Sequence, residues 1–414
     1  MVSFLYALSF PPVFLKLLLV LKEIMVVLMA LLLIAKGKVA VQQLSVLLLL
    51  VFCLPYLLIT NMPFEQSIGG LRTYVLFTFA FFVGFELART PDAFRYFVNK
   101  ITPLFWLIIL FSFLEYFLLP ASIWKEIFPI MEMKRVVGGI IVTNEYYQTG
   151  MPVNAFGELV RRLLGPFNEP LYTAYFMIIL VNFLLAGLLS KLHVRKFALV
   201  SGVVSIFLTQ TRAIVIGLLL SALAFVFKTR RLNMKLVYAG FLFVAMAVIS
   251  VFAFWDFYSA FVESIFSKAG RNVGHIDAYV EGTKLMLAHP LGLGLGASST
   301  LFSGISSNAS TENAFINIAL EIGIIGVLLY GGLLFFSVIK FHQYLVRYNN
   351  HSGKEDYAVV TVSYLLTVQF IFAGLVAPHI LTARIVIPFM LVVGWGYGVV
   401  RKNRQLTRTC GQKL

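Results

Sequence analysis

Long apolar runs that do not alternate constrain this chain more than anything else in it. Val13–Ala35, Val41–Ile59 and Asn313–Ile339 are apolar almost throughout. Runs of roughly 17–25 such residues match the hydrocarbon thickness of a bilayer. Inside lipid no water satisfies a backbone N–H or C=O, so a spanning segment is an α-helix or part of a closed barrel. Barrel strands alternate apolar and polar residues with period two, and these runs do not. Composition agrees, with 60% hydrophobic and 12% charged residues, against about a quarter charged in soluble chains. The expected fold is all-α: a polytopic integral membrane helical bundle, a single transmembrane domain over residues 1–414.

Counting runs gives about eleven spans. They are Val13–Ala35, Val41–Ile59, Leu71–Leu87, Pro103–Leu119, Leu171–Ser190, Phe197–Leu208, Ala213–Phe227, Lys235–Phe254, Asn313–Ile339, Tyr357–Val376 and Arg384–Val400. Met1–Pro12 is either interfacial or part of an extra pass, which makes about twelve. Two long polar segments, residues 120–170 and 255–312, interrupt the series. Short connectors set the orientation, because cytoplasmic loops are rich in Lys and Arg. Under strict alternation six groups fall on one side: Lys36/Lys38, Arg89/Arg95/Lys100, Lys191/Arg195/Lys196, Lys228/Arg230/Arg231/Lys235, Lys340/Arg347/Lys354 and Arg401/Lys402/Arg404/Arg408/Lys413. They hold 20 of the 33 Lys and Arg residues, with only Asp92, Glu355 and Asp356 beside them. That side is cytoplasmic, and both long polar segments face outward with short amphipathic helices expected in them. The net charge of +15 is therefore a signature of topology, and nucleic-acid binding is not implied. Cys53 lies in a span and Cys410 in the tail, so no disulfide framework is implied. The N-terminal apolar region runs on through Ala35, too long for a signal peptide.

The outward segments hold the candidate chemistry. Arg161 and Arg162 sit outside, against the charge trend, beside the turn Gly165-Pro166-Phe167-Asn168-Glu169-Pro170. They either snorkel to headgroups, pair with Glu158, or form an anion-binding mouth. Arg212 lies in Thr209-Gln210-Thr211-Arg212, between apolar runs too close together to leave a real loop. A guanidinium at that depth faces a partner, such as Glu115 or Glu321, or an anion in a watery cavity. Its planar fork suits phosphate. After Arg271, the residues Ile276, Tyr279, Val280, Met286 and Leu287 make an apolar face opposite Asp277, Glu281 and Lys284. That pattern predicts an amphipathic helix over the bundle, ended by His289-Pro290. His275 and His289 lack metal-ligand spacing. Gly292-Leu293-Gly294-Leu295-Gly296-Ala297 fits a dinucleotide fingerprint only in letters, since no strand precedes it. Its glycines read as a tight, non-helical passage at the membrane surface. Glu312-Asn313 opens the next span, where the helix dipole favours a carboxylate and Thr311 is the expected cap. Glu321, deeper in that span, either neutralises Arg212 or serves structure. P-loop, zinc, D-x-D and G-x-S-x-G motifs are missing from the sequence, so nucleotide-sugar, ATP-driven and metal-dependent chemistry lack support.

These pieces, in this order, resemble the O-antigen ligase/polymerase superfamily of Wzy and WaaL type. The carriers are Arg162-x-x-Gly165-x-Phe167-x-Glu169-Pro170, Thr209-x-Thr211-Arg212, Pro290-x-Gly292-x-Gly294 and Glu321-x-Gly323-x-x-Gly326. The motifs cover Arg161–Gly326, the architecture covers the whole chain, and the likeness is greatest to Wzy-type polymerases of O-antigen, capsule or exopolysaccharide. The resemblance implies a GT-C-like bundle in the bacterial cytoplasmic membrane with an outward-facing active site. It implies a glycosyltransferase that needs no metal or other cofactor. Its substrate would be an undecaprenyl-diphosphate-linked glycan. Its partners would be membrane lipid, a chain-length regulator and a flippase. Carried over residue by residue, Arg212 and Arg271, assisted by Arg161 or Arg162, are expected to hold the diphosphate. Glu312, then Glu169, then His275 are the expected candidates for the catalytic base. Ligases of the superfamily carry a His where this chain has Glu312, which favours polymerase over ligase. The non-enzyme alternative is a lipid-linked oligosaccharide flippase, with Lys16, Lys22 and Glu23 of the first span lining a path.

Overall fold

A computed structural model of the chain describes residues 12–35, 41–59, 63–90, 92–118, 162–167, 170–189, 196–209, 211, 214–220, 271–298, 313–348 and 354–411. Its helices are α1 (Pro12–Ala35), α2 (Val41–Cys53), α3 (Phe64–Leu87), α4 (Ala93–Phe113), α5 (Pro170–Leu189), α6 (Lys196–Leu208), α7 (Arg271–Ala288), α8 (Ala314–Arg347), α9 (Lys354–Val376) and α10 (Ala383–Gly411). A π-helical turn, Leu114–Leu118, extends α4, and residues 214–220 are also helical. Among the described residues there is no strand, and five helices are long and apolar enough to cross a membrane. The protein is an all-α, polytopic membrane protein.

Helix α3 carries a buried aromatic face, with Tyr74, Phe77, Phe81, Phe82 and Phe85 all buried. Its main partner is α10, and the two lie backbone to backbone. A Cβ added at Gly84 would strike the Leu391 carbonyl, and one added at Gly394 or Gly398 would strike the carbonyls of Phe81 or Phe85. Gly394-x-x-x-Gly398 is a small-residue spacing that lets membrane helices approach closely where lipid gives no hydrophobic drive between them. Helices α1 and α2 pack on α3, α5 packs on α6 and α9, and α8 packs on α9. Polar pairs fix the registers. The buried Asn182 Nδ2 of α5 donates to Gln369 Oε1 of α9 at 2.8 Å. On α3, Arg72 grips the buried Glu23 of α1 in a fork, its Nε reaching Oε2 at 2.5 Å and its second arm reaching Oε1.

A second group of ion pairs lies at one end of the bundle. Arg95 of α4 meets Glu355 of α9 at 3.0 Å, and Lys402 of α10 meets Asp356 at 3.4 Å. Asn403 donates both to Asp356 Oδ2 and to the Tyr344 hydroxyl at 3.0 Å. These are residues of the basic connectors, so the ends of α8 and α10 and the starts of α4 and α9 share one face. The starts of α3, α8 and α10 and the ends of α4, α6 and α9 belong to the other.

Several boundaries differ from expectation. The span expected at Pro103 starts at Ala93, and the one expected at Leu71 starts at Phe64. Arg95, Lys100, Lys340, Arg347 and Arg401–Arg408 lie on helices, not in connectors. Hydropathy marks where a helix meets hydrocarbon, whereas hydrogen bonding carries the helix on into the interface. The run Val41–Ile59 is interrupted at Leu54-Pro55, because proline cannot donate to the helix ladder. The expected span Lys235–Phe254 and most of the segments 120–170 and 255–312 lie outside the described residues.

Candidate active site

Two local constructions build the face opposite the ion pairs. The first is a hook. Arg162 donates from Nε to the Thr209 carbonyl at 2.7 Å and from Nη2 to Thr211 Oγ1 at 3.2 Å. The next residue, Leu163, donates its N–H to the Leu208 carbonyl at 3.0 Å. The N–H groups of Leu164 and Gly165 then donate to the buried Glu115 Oε2 at 3.1 and 3.3 Å. Thr173 of α5 donates its hydroxyl to the Leu164 carbonyl. The Arg162-to-Pro170 motif and the Thr209-to-Arg212 corner are thus one construction, laced onto the π-turn that carries Glu115.

The second is a plug. Helix α8 is broken at Ile322–Gly323, where Gly323 takes φ +75°. A break inside a membrane helix leaves backbone groups without partners, and these must be met locally. The glycine-rich turn meets them. Leu293 N–H donates to the Leu320 carbonyl at 2.7 Å, and Ile324 N–H donates to the Pro290 carbonyl at 2.9 Å. Backbone runs against backbone here: a Cβ on Gly292 would lie 2.6 Å from Gly323 N, and one on Gly323 would lie 2.7 Å from the Leu291 carbonyl carbon. Gln66 of α3 clips the far end of the plug, donating to the Gly296 carbonyl at 2.8 Å. The Gly-rich turn and the Glu321-to-Gly326 motif therefore form one object.

Glu321 lies beside the break, buried, and is held by neutral donors. Its Oε2 accepts from the Tyr74 hydroxyl at 2.9 Å and its Oε1 from the Ser298 hydroxyl at 2.8 Å, and the Gly296 N–H also donates to it. Among the described residues its partners hold structure; none is an arginine. The entrance of α8 is capped by Asn313, whose Oδ1 accepts from the N–H groups of Phe315 and Ile316 at 2.8 and 3.1 Å. That role was expected of Thr311, which lies outside the described residues. Asn313 also donates to the Leu375 carbonyl at the end of α9 at 3.1 Å. The Tyr279 hydroxyl of α7 donates to the same carbonyl. So α7, the entrance of α8 and the exit of α9 meet at one point. The 3-10 turn Pro378–Leu381 leads from there to α10.

Of the sequence-predicted site residues, Arg162 is described in full. Arg271 opens α7 and His275 lies one turn further on; for these two the structure describes the backbone. The helix starts at Arg271 itself, earlier than its apolar face suggested, and stops at Ala288 before His289-Pro290. Arg161, Glu169, Arg212 and Glu312 lie outside the described residues. Their chain neighbours Arg162, Pro170, Thr211 and Asn313 all belong to the face just described. Sequence reasoning passed over Arg384. It is exposed in the first turn of α10, its guanidinium 4.8 Å from the Tyr172 ring centroid. A positive charge at the end of a span remote from the basic connectors is the same signal that drew attention to Arg161 and Arg162. Tyr74, Thr173 and Ser298 carried no such signal.

Residues 197–331 match the family model described as O-Antigen ligase. The match runs from the first turn of α6 through the Thr209 corner, α7 and the plug to the middle of α8. No curated protein matches the chain. Both constructions fall wholly or partly within the matched residues, and the match supports the likeness to the O-antigen ligase/polymerase superfamily that the motifs carry.

Proposed function

We propose that the protein is a polysaccharide polymerase, joining undecaprenyl-diphosphate-linked repeat units by glycosyl transfer on the outer face of the cytoplasmic membrane. The matched family supports a glycosyltransferase-like membrane enzyme acting on lipid-linked glycans. The observation that carries the finer reading is the hook: Arg162 is bonded to Thr209 and Thr211, which ties the two arginine-bearing motifs into one corner. In this reading Arg212 and Arg271 grip the diphosphate, with Arg161 or Arg162 assisting. Guanidinium groups fixed in advance stabilise charge as it develops on a leaving group. The hydroxyl at the nonreducing end of one lipid-linked unit attacks the anomeric carbon of the growing chain. The new C–O bond forms as the bond to the diphosphate breaks, and the lipid diphosphate leaves with the electron pair. Glu312 takes the hydroxyl proton; Glu169 and His275 follow as candidates. Segments 120–170 and 255–312 are the outward loops that cover the site, and a chain-length regulator and a flippase are its partners in assembly.

The second reading, transfer of a lipid-linked glycan to lipid A-core, is favoured by the matched family's own description as a ligase. The flippase reading loses ground, since Arg72 occupies Glu23 and the plug fills the break in α8. Purified protein supplied with a synthetic lipid-linked repeat unit is expected to produce a ladder of longer chains. One transfer to a lipid A-core acceptor, with no ladder, would replace polymerase by ligase. Arg212→Ala is expected to abolish the ladder while the protein still reaches the membrane; a normal ladder from that variant removes Arg212 from the mechanism. Glu312→Gln is expected to slow chain growth by roughly 100-fold or more, and a near-normal rate moves the base to Glu169 or His275.

A further inference from the structure

Glu321 has no task in the mechanism above, yet it is one of few carboxylates buried in the spans, where a charge is expensive to keep. The break in α8 does not need it, because the orphaned backbone groups at Leu320 and Ile324 are met by the plug's own backbone. What Glu321 adds is a tie between three segments. Its own helix α8, Tyr74 of α3, and Gly296 and Ser298 of the plug converge on one carboxylate. A carboxylate offers about four acceptor positions, and three are filled from two directions.

The plug continues directly into α7. Gly292 N–H donates to the His289 carbonyl at 2.9 Å and His289 N–H to the Leu285 carbonyl at 3.0 Å, so the last turn of the helix is joined to the plug. Midway along α7, Tyr279 is tied to Leu375. Two ties set the direction of a rod, and Arg271 is the first residue at its far end. At 1.5 Å per residue that end lies ~12 Å beyond the Tyr279 tie, so with the clasp released a tilt of ~10° about Tyr279 carries it ~2 Å. Misplacement of about 1 Å is already costly to a reacting group.

We propose that Glu321 is a positioning residue for Arg271: it clamps the glycine-rich plug and thereby aims α7. This rests on the glycosyl-transfer reading, in which Arg271 contacts the diphosphate. The clasp and its consequence are tested separately. Ala297 is buried in the plug. Ala297→Cys is placed in full-length protein with Cys410→Ser, leaving the buried Cys53 as background, and is labelled with a water-soluble thiol reagent. Glu321→Leu is expected to speed labelling about ten-fold, and Tyr74→Phe or Ser298→Ala a few-fold each, as one buried hydrogen bond is lost. With a lipid-diphosphate-linked donor, Glu321→Leu is expected to lower kcat about ten-fold, because Arg271 leaves the place from which it stabilises the departing diphosphate, and to add little to the loss caused by Arg271→Ala in the double variant. Glu321→Gln, which keeps an acceptor for Ser298, is expected to recover most of the loss. Unchanged labelling in Glu321→Leu overturns the clasp. Faster labelling with kcat unchanged, or losses from Glu321→Leu and Arg271→Ala that simply add in the double variant, overturns the role toward Arg271. Should Glu321→Leu fail to accumulate, Tyr74→Phe and Ser298→Ala carry both measurements. If the wild-type protein transfers no glycan, the glycosyl-transfer reading and the role toward Arg271 fall together, and labelling alone decides the clasp.

Discussion

At the scale of single residues, Arg162 shows why an arginine is required where a lysine carries the same charge. Its Nε and Nη2 reach two different acceptors, the Thr209 carbonyl and the Thr211 hydroxyl, and only a planar fork serves both. Arg162→Lys is expected to destabilise the detergent-solubilised protein by about 1–3 kcal/mol, the range for a lost hydrogen bond to a charged group, read as a lower thermal midpoint. Arg384 gives the opposite expectation. It is exposed and rests on Tyr172, and an exposed cation–π contact contributes roughly 0.5–1 kcal/mol. Arg384→Ala should leave the midpoint nearly unmoved, and a shift as large as that of Arg162→Lys would reveal a structural role. The sequence made Arg162 visible because a charge outside the membrane stands out. It made Glu321 visible as a buried carboxylate but hid its purpose, because the decisive partner, Tyr74, is an ordinary aromatic in a distant span.

At the scale of elements, the plug and the broken helix explain two glycine motifs at once. Gly323 sits at φ +75° with Leu291 and Pro290 packed where a side chain would go. Gly323→Ala is therefore strained twice, and a loss of about 1–3 kcal/mol is expected. Gly332, on the same helix, has nothing within 4 Å of an added Cβ. Gly332→Ala is expected to be neutral or slightly stabilising, since alanine gains about 1 kcal/mol over glycine inside a helix. Comparable losses in both would show that the break has no special demand. The cap of α8 is testable in the same way. Asn313→Ala removes an acceptor shared by two N–H groups and should cost about 0.5–2 kcal/mol, whereas Asn313→Asp keeps that acceptor while giving up the bond to Leu375 and should cost less. The existence of these elements was legible in the sequence. That the Gly-rich turn and the Glu321 motif interlock was not, because their pairing is backbone to backbone and leaves no side-chain pattern. The break inside α8 was hidden for a related reason: Ile322 and Gly323 lie in an apolar run that hydropathy reads as continuous.

At the scale of the whole molecule, insertion and packing are governed by different residues, and the two can be separated. Orientation is expected to follow the basic connectors, and among the described residues Arg95–Glu355 and Lys402–Asp356 bring members of three of them to one face. Packing follows the close approach of α3 and α10, an early helix and the last one described, through Gly84, Gly394 and Gly398. A larger residue at this seam leaves every span apolar and every connector charged, so the chain still has all it needs to thread the bilayer. It cannot then bring α3 and α10 together, and the buried aromatic face of α3 loses its partner. Gly394→Leu is thus expected to keep wild-type topology, read from the labelling of single cysteines in each connector, while the purified protein unfolds well below the wild-type midpoint or aggregates on extraction. A changed topology in that variant would mean that helix packing helps decide orientation. An unchanged midpoint would mean that α3 and α10 tolerate separation, and the glycine seam would then not be what holds the bundle's centre.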